Sequence, residues 1–431
     1  MRAGPPLEGS VRVSGATKNS GLKLMAASLL ASGVTTLRNA PPVGDLGVFI
    51  DVMRAIGVDV TWSGPEELRI DTSGDLAPEA PYELVTRLRA SINVLGPLLG
   101  RCGEARVAMP GGDDIGNRKL DMHFEGLRAM GAEISILHGF IQARAPRLSG
   151  ARIVLEFPSV GATENLLTAA VLARGTTVIE NAAREPEITD LASFLVRMGA
   201  QIVGAGSSTI QIDGVGELVA ADAELMPDRV EAGTLLMACG IAGGEITLET
   251  ARLEHLEMLT MKLGQMGMKV SPTADGIWAR ADQRLQAVDI ATLPFPGFAT
   301  DLMPLAVAML SVADGTSIVT ENLFDSRFNF VHELNRMGAD IRPEGRHAVV
   351  RGVERLSGAP VRALDVRAGA ALILAGLAAD DSTTIFDPHH IDRGCSDLDG
   401  KLRALGADVE RVDGPTSTVP PDLDGPMRTI S

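Results

Sequence analysis

Repetition constrains this chain more than any other feature. Six segments read as an apolar helix, then Met, Leu or Ile before Gly, then a strand: VMRAIGVDV, LRAMGAEISI, LVRMGAQIV, LGQMGMKV, LNRMGADI and LRALGADVERV. Their glycines are Gly57, Gly131, Gly199, Gly267, Gly338 and Gly406, spaced about 70 residues apart. Gly directly after an apolar-periodic stretch predicts a helix C-terminus, where a positive φ costs glycine nothing. A second series runs out of phase with the first. Helices rich in small residues are expected from Lys18, Arg89, Val160, Arg229, Thr300 and Arg367, at nearly the same period. Thr-rich strands follow at least four of them: SGVTTLRNA, RGTTVIENA, DGTSIVTEN and DSTTIFD.

Two registers kept in step through six copies define a unit of two helices and about four strands, an α/β architecture. One helix per unit is apolar all round and must be buried on every side; the other is amphipathic and covers one face. Six units exceed one hydrophobic core, so three per domain is the simple division. The predicted domains are residues 18–226 and residues 1–17 plus 227–412. The first strand, in LEGSVRVSGA, would pair with the C-terminal half, making two crossings. Residues 413–431 are Pro-rich without periodicity and read as a flexible tail.

Charge narrows the function classes. The formal net charge is −16 and aromatics are 3%, which argues against a nucleic-acid partner needing a broad cationic, stacking face. No apolar run reaches membrane-spanning length, and the N-terminus lacks a hydrophobic signal core. Three widely spaced cysteines suggest neither a disulfide framework nor a metal site, and favour a reducing cytoplasm. The histidines offer no metal spacing, and no metal or cofactor is implied.

Local cation placement is more informative. Lys18, Arg89, Arg229 and Arg367 fall at or just before the first turns of buried helices. A cation there opposes the helix dipole by roughly 0.3–1 kcal/mol unless an anion binds. If the helices run parallel, their N-termini meet at one end of each domain, and two such ends form a cationic cleft. The loops PGGDDIGNR, FDSRFNF and HHIDRG would add Arg118, Arg327 and Arg393, suited to gripping carboxylate or phosphate. Two carboxylates stand out by position, Asp113 and Asp301.

With these residues assembled, the sequence resembles the enolpyruvyl transferases, and most closely their nucleotide-sugar branch. The resemblance covers residues 7–412 and rests on KNS (18–20), LRAS (88–91), PGGDDIGNR (110–118), SVGATEN (159–165), NAAREPEI (181–188), PDRVEAGT (227–234), TDL (300–302), SRF (326–328), VRAGA (366–370) and HIDRG (390–394). It implies an inverted α/β barrel of two similar domains, with six βαβαββ repeats in all. It implies transfer of the enolpyruvyl group of phosphoenolpyruvate to the 3-hydroxyl of UDP-N-acetylglucosamine, the opening step of peptidoglycan synthesis. Lys18, Arg118, Arg327, Arg367 and Arg393 would hold phosphoenolpyruvate, and Asp301 would be the base. Asn19, Arg89, Arg118, Lys119, Leu120, Asp121, Met122, Ser159, Val160, Gly161 and Leu323 would contact the nucleotide sugar.

The departures bear on mechanism. Asp113 stands where most members have Cys, so it would be the general acid, and the enzyme would tolerate fosfomycin, which alkylates that Cys. A carboxyl with a reference pKa of about 3.9 needs a strong upward shift for this role. Asp114 beside it, and burial on closure, would provide one. Around the acceptor, Thr17 looks inserted, Lys119 and Ala299 replace prolines, Asn93 replaces Trp, and Cys395 replaces Tyr. A paralogue acting on another uridine nucleotide such as UMP, or a non-catalytic nucleotide-sugar sensor, are the alternatives.

Overall fold

The computed structural model describes residues 1–2, 4–113, 115–116 and 118–412. Asp114 and the tail 413–431 lie outside the described residues.

The apolar helices lie inside. They are Leu22–Ser28, Leu95–Cys102, Val160–Ala170, Arg229–Ala242, Met303–Leu310 and Val366–Leu377. In Met303–Leu310 all eight residues are buried, the state that a helix without a polar face requires. The amphipathic helices lie outside, at Gly44–Ala55, Asp121–Ala129, Pro186–Arg197, Glu257–Gln265, Val331–Arg336 and Leu398–Ala404. The glycine after each has a positive φ, between 85° and 105°, so the periodic Gly does mark the outer helix ends.

Five four-stranded sheets share one topology. In each, an edge strand lies parallel to the strand after the inner helix, and the hairpin after the outer helix completes the sheet antiparallel. Glu79–Ala80, Glu104–Ala108, Phe140–Arg144 and Glu133–Leu137 are one example, in spatial order. The sixth unit differs. It has two parallel pairs, Leu356–Ser357 with Ala379–Asp380 and Pro360–Arg362 with Thr384–Phe386. Arg2 bridges to both Ser382 and Asp408 at its side.

The first strand, Leu7–Arg12, pairs parallel with Gly244–Glu249, and Ala223–Glu224 pairs with Val34–Arg38. The C-terminal half therefore takes an edge strand from the start of the chain, and the N-terminal half is closed by its own last strand. Buried apolar residues form two clusters, one drawn from 22–225 and one from 7–13 with 230–409. The two crossings run side by side: Ala16 N donates to Met226 O and Asp228 N to Ser14 O, both at 2.8 Å.

Candidate active site

Three inner helices begin with side-chain caps. Ser159 Oγ accepts from Ala162 N, Asp228 Oδ1 from Val230 N and Glu231 N, and Asp365 Oδ1 from Arg367 N and Ala368 N. The other three begin irregularly, and these carry Lys18, Arg89 and Asp301. Thr17–Gly21 is a π turn, and Arg89–Val94 and Thr300–Leu302 are 3₁₀ turns. Wide and tight turns re-aim side chains that a regular first turn would point elsewhere.

The irregular turns and the loops converge between the two halves. Arg367 donates to Asp301 Oδ2 from Nε (3.1 Å) and Nη2 (2.9 Å), and Arg327 Nη2 donates to Asp301 Oδ1 at 3.2 Å. Both arginines are 4% exposed, and the buried Arg327 Nε has no hydrogen-bond partner. A third of the Asp301 side-chain surface remains accessible. Arg393 donates to Asp113 through Nη1 and to Asp45 through Nε, the latter at 2.8 Å. Lys18 Nζ pairs with the other Asp45 oxygen. Arg118 Nη2 donates to the Asp113 carbonyl at 2.7 Å, and Arg89 to the Arg118 carbonyl. Arg118 also feels Asp113, Arg327, Asp301 and Arg393 electrostatically. Lys18, Arg118, Arg327, Arg367, Arg393, Asp113 and Asp301 thus form one cluster.

The Gly-rich loop reaches across to the other half. Ser326 N donates to Ile115 O at 3.3 Å. A Cβ on Gly116 would sit 1.9 Å from Asp325 Oδ1, and its φ is +112°, so only glycine permits this approach.

The electrostatics correct one expectation. Burial by itself raises the Asp113 pKa, but Arg393 and Lys18, the Arg393 hydrogen bond and Arg118 outweigh it, leaving the carboxyl below its ordinary value. For Asp301, burial likewise opposes and loses to Arg367, Arg327 and Lys18, so it lies far below the usual range. The Arg89 pKa falls to about 10, chiefly through burial and then through Arg118.

The acceptor-side residues divide. Asn19, Ser159, Val160, Gly161, Met122 and Leu323 are half-buried, and Lys119 and Asp121 are exposed. Leu120 is 6% exposed and packs into the core of the N-terminal half, which leaves little of its side chain for a ligand. Gly161 lies against His123. Burial first, then Arg89, lowers that imidazole to about 4. Asn93 Nδ2 donates to buried Glu164 Oε2 at 2.8 Å, with Lys23 3.5 Å from the other oxygen. Arg229 does not join the cluster; it is paired with Glu187 at 2.8 Å. Sequence reasoning missed Asp45, Glu164 and the Glu187–Arg229 pair. The only signal for Asp45 was an acidic residue in a first turn, common to most helices.

The EPSP synthase (3-phosphoshikimate 1-carboxyvinyltransferase) family pattern matches residues 1–402. The chain belongs to this family of enolpyruvyl transferases. A UDP-N-acetylglucosamine 1-carboxyvinyltransferase of Corynebacterium jeikeium is 51% identical over 412 residues, covering 96% of this chain and 98% of that protein. One from Caldanaerobacter subterraneus subsp. tengcongensis is 48% identical, covering 94% and 97%. Among solved structures, the enolpyruvyl transferase NikO from Streptomyces tendae superposes with a TM-score of 0.85 at 27% identity, covering 96% of this chain and 98% of that one. The family fold, the inverted α/β barrel, is the architecture described above. The enolpyruvyl transferase chain has no helix among its described residues long and apolar enough to cross a membrane.

Proposed function

We propose that the chain transfers the enolpyruvyl group of phosphoenolpyruvate to the 3-hydroxyl of UDP-N-acetylglucosamine and releases phosphate. The carrying observation is the convergence of five cations, Lys18, Arg118, Arg327, Arg367 and Arg393, around Asp113 and Asp301. The names of the relatives near 50% identity support the acceptor. Such a reaction would open peptidoglycan synthesis, in the cytoplasm, and the free thiols of Cys102, Cys239 and Cys395 accord with that compartment.

In this reading Asp113 gives a proton to C3 of phosphoenolpyruvate, and C2 gains oxocarbenium character. Asp301 takes the proton of the sugar hydroxyl as its oxygen bonds to C2. The tetrahedral adduct then returns a proton from C3 to the Asp113 carboxylate as the C2–O bond to phosphate breaks and phosphate leaves. The guanidinium groups fix both anionic ends of phosphoenolpyruvate, and positioning of this kind contributes several kcal/mol. Residues 1–17 plus 227–412 and residues 18–226 would act as two domains closing over the reactants, with Asn19, Arg89, Lys119, Asp121, Met122, Ser159, Val160, Gly161 and Leu323 facing the nucleotide sugar.

A low pKa at Asp113 is compatible with an acid role once substrate charge is included. The five cations face three carboxylates, Asp45, Asp113 and Asp301, a surplus of two positive charges. A phosphate monoester brings about −1.5 to −2, and its carboxylate adds one more. The complex is then over-neutralised, and proton uptake relieves it. Asp113, whose cations the ligand would share, would be the site of that uptake.

The test is phosphate release from phosphoenolpyruvate with UDP-N-acetylglucosamine and with UMP separately. Turnover with the nucleotide sugar is expected. Turnover with UMP alone would select the paralogue reading, and release with neither would favour a sensor.

A further inference from the structure

We propose that Asp45 is a positioning residue that pins Lys18 and Arg393 in the orientation in which they receive phosphoenolpyruvate; this rests on the reaction proposed above. Asp45 lies in the first turn of the outer helix Gly44–Ala55 and is 1% exposed. Its two oxygens serve cations from opposite halves of the molecule: Oδ2 takes Lys18 Nζ and Oδ1 takes Arg393 Nε at 2.8 Å. Its backbone N–H also donates to the Arg393 carbonyl at 3.1 Å. The helix end approaches Arg393 so closely that a Cβ on Gly44 would lie 3.2 Å from the Arg393 Cα. Asp45 thus grips Arg393 through main chain and side chain, with Gly44 close against its backbone.

The grip leaves the working edge open. Asp45 occupies Nε and none of the Nη atoms, and Nη1 already faces Asp113. An ammonium has three donors, and Asp45 takes one of those on Lys18. Lysine and arginine side chains are rich in rotamer entropy, so fixing both before substrate arrives removes a cost from substrate binding. A carboxylate this buried is retained at a desolvation cost, which a merely stabilising contact could avoid with an apolar residue. The effect should be confined to phosphoenolpyruvate, because the acceptor-side residues Asn19 and Ser159–Gly161 are not bonded to Asp45.

The experiment compares parent, Asp45→Asn and Asp45→Glu. In steady-state kinetics, Asp45→Asn is expected to raise KM for phosphoenolpyruvate at least about tenfold while KM for UDP-N-acetylglucosamine stays within about twofold. Asp45→Glu, which keeps the charge, should recover part of the loss. A crystal structure of Asp45→Asn without substrates should show the Arg393 guanidinium and Lys18 ammonium displaced or in several conformers. Unmoved cations, or KM values for both substrates rising in parallel, would overturn the proposal. If the parent does not turn over phosphoenolpyruvate, the reaction itself is misassigned, and the crystal structure still tests the pinning alone.

Discussion

At the scale of single residues, the proposed acid role of Asp113 makes its environment dictate a pH dependence. Arg393, Lys18 and Arg118 hold it ionised in the free protein, whereas donation to C3 needs the protonated form. In the proposed reaction phosphoenolpyruvate would therefore bind together with a proton. Since kcat/KM refers to free enzyme and free substrate, it should fall as pH rises through the neutral range, up to about tenfold per unit. The kcat should hold to higher pH, because the bound complex keeps its proton. Asp113→Asn should lose about 10²–10⁴ in kcat; a smaller loss in a rate–pH titration would move the acid elsewhere. Fosfomycin gives an orthogonal check. The parent should be tolerant and Asp113→Cys sensitive, so equal inhibition of both would refute Asp113 as the counterpart of the alkylated thiol. Asp301→Asn should suffer a comparable kcat loss, and because it leaves the buried Arg327 and Arg367 without their carboxylate it should also lower the unfolding midpoint. Most of these side chains were legible in the sequence because they sit in short polar motifs between apolar runs. Asp45 was not, because its meaning comes from Arg393, 348 positions away. The direction of the Asp113 shift was also illegible, since it depends on three cations meeting in space.

At the scale of elements, periodicity succeeded where local physics alone decides. The six outer-helix glycines and the six inner-helix starts needed only a C-terminal positive φ and a change from polar to apolar residues. The irregular first turns at Thr17–Gly21, Arg89–Val94 and Thr300–Leu302 escaped, because no propensity distinguishes a π or 3₁₀ turn from an α turn over so few residues. The incomplete sixth sheet escaped as well, since its strands follow the same pattern and only pairing reveals the difference. Two substitutions separate backbone strain from packing. Gly267 has a φ of +100° and open space around it, so Gly267→Ala should cost about 1–2 kcal/mol from conformation alone. Gly126 lies in a regular helix, but an added Cβ would sit 2.5 Å from Leu166. Its substitution by Ala should cost about 1–3 kcal/mol through overpacking. Denaturant titration reads both, and a neutral Gly267→Ala would contradict the strain argument.

For the whole molecule, the question is what holds the halves together over the cleft. Two of the sets of contacts between them differ in burial. Beside the crossings, Arg229 pairs with Glu187, with 11% and 4% of their side chains exposed, and Phe295 N donates to Glu185 Oε1 at 3.3 Å. At the mouth, Arg393 pairs with Asp113, at 21% and 18% exposure, and with the more buried Asp45, beside the Ser326–Ile115 backbone bond. Salt screens exposed pairs more than buried ones, and the Debye length falls from about 10 Å at 0.1 M to about 3 Å at 1 M. Raised ionic strength should therefore loosen the mouth and leave the crossing side as a pivot. Small-angle scattering should record a larger radius of gyration at 1 M KCl than at 0.1 M, reversed by adding both substrates. Glu187→Gln acts at the pivot instead. It strands a buried guanidinium, and removing one partner of a buried pair costs about 3–5 kcal/mol, so it should lower unfolding stability at either salt concentration. A radius that does not change with salt, alongside a rising KM for phosphoenolpyruvate, would mean that salt competes for the cations and does not open the halves.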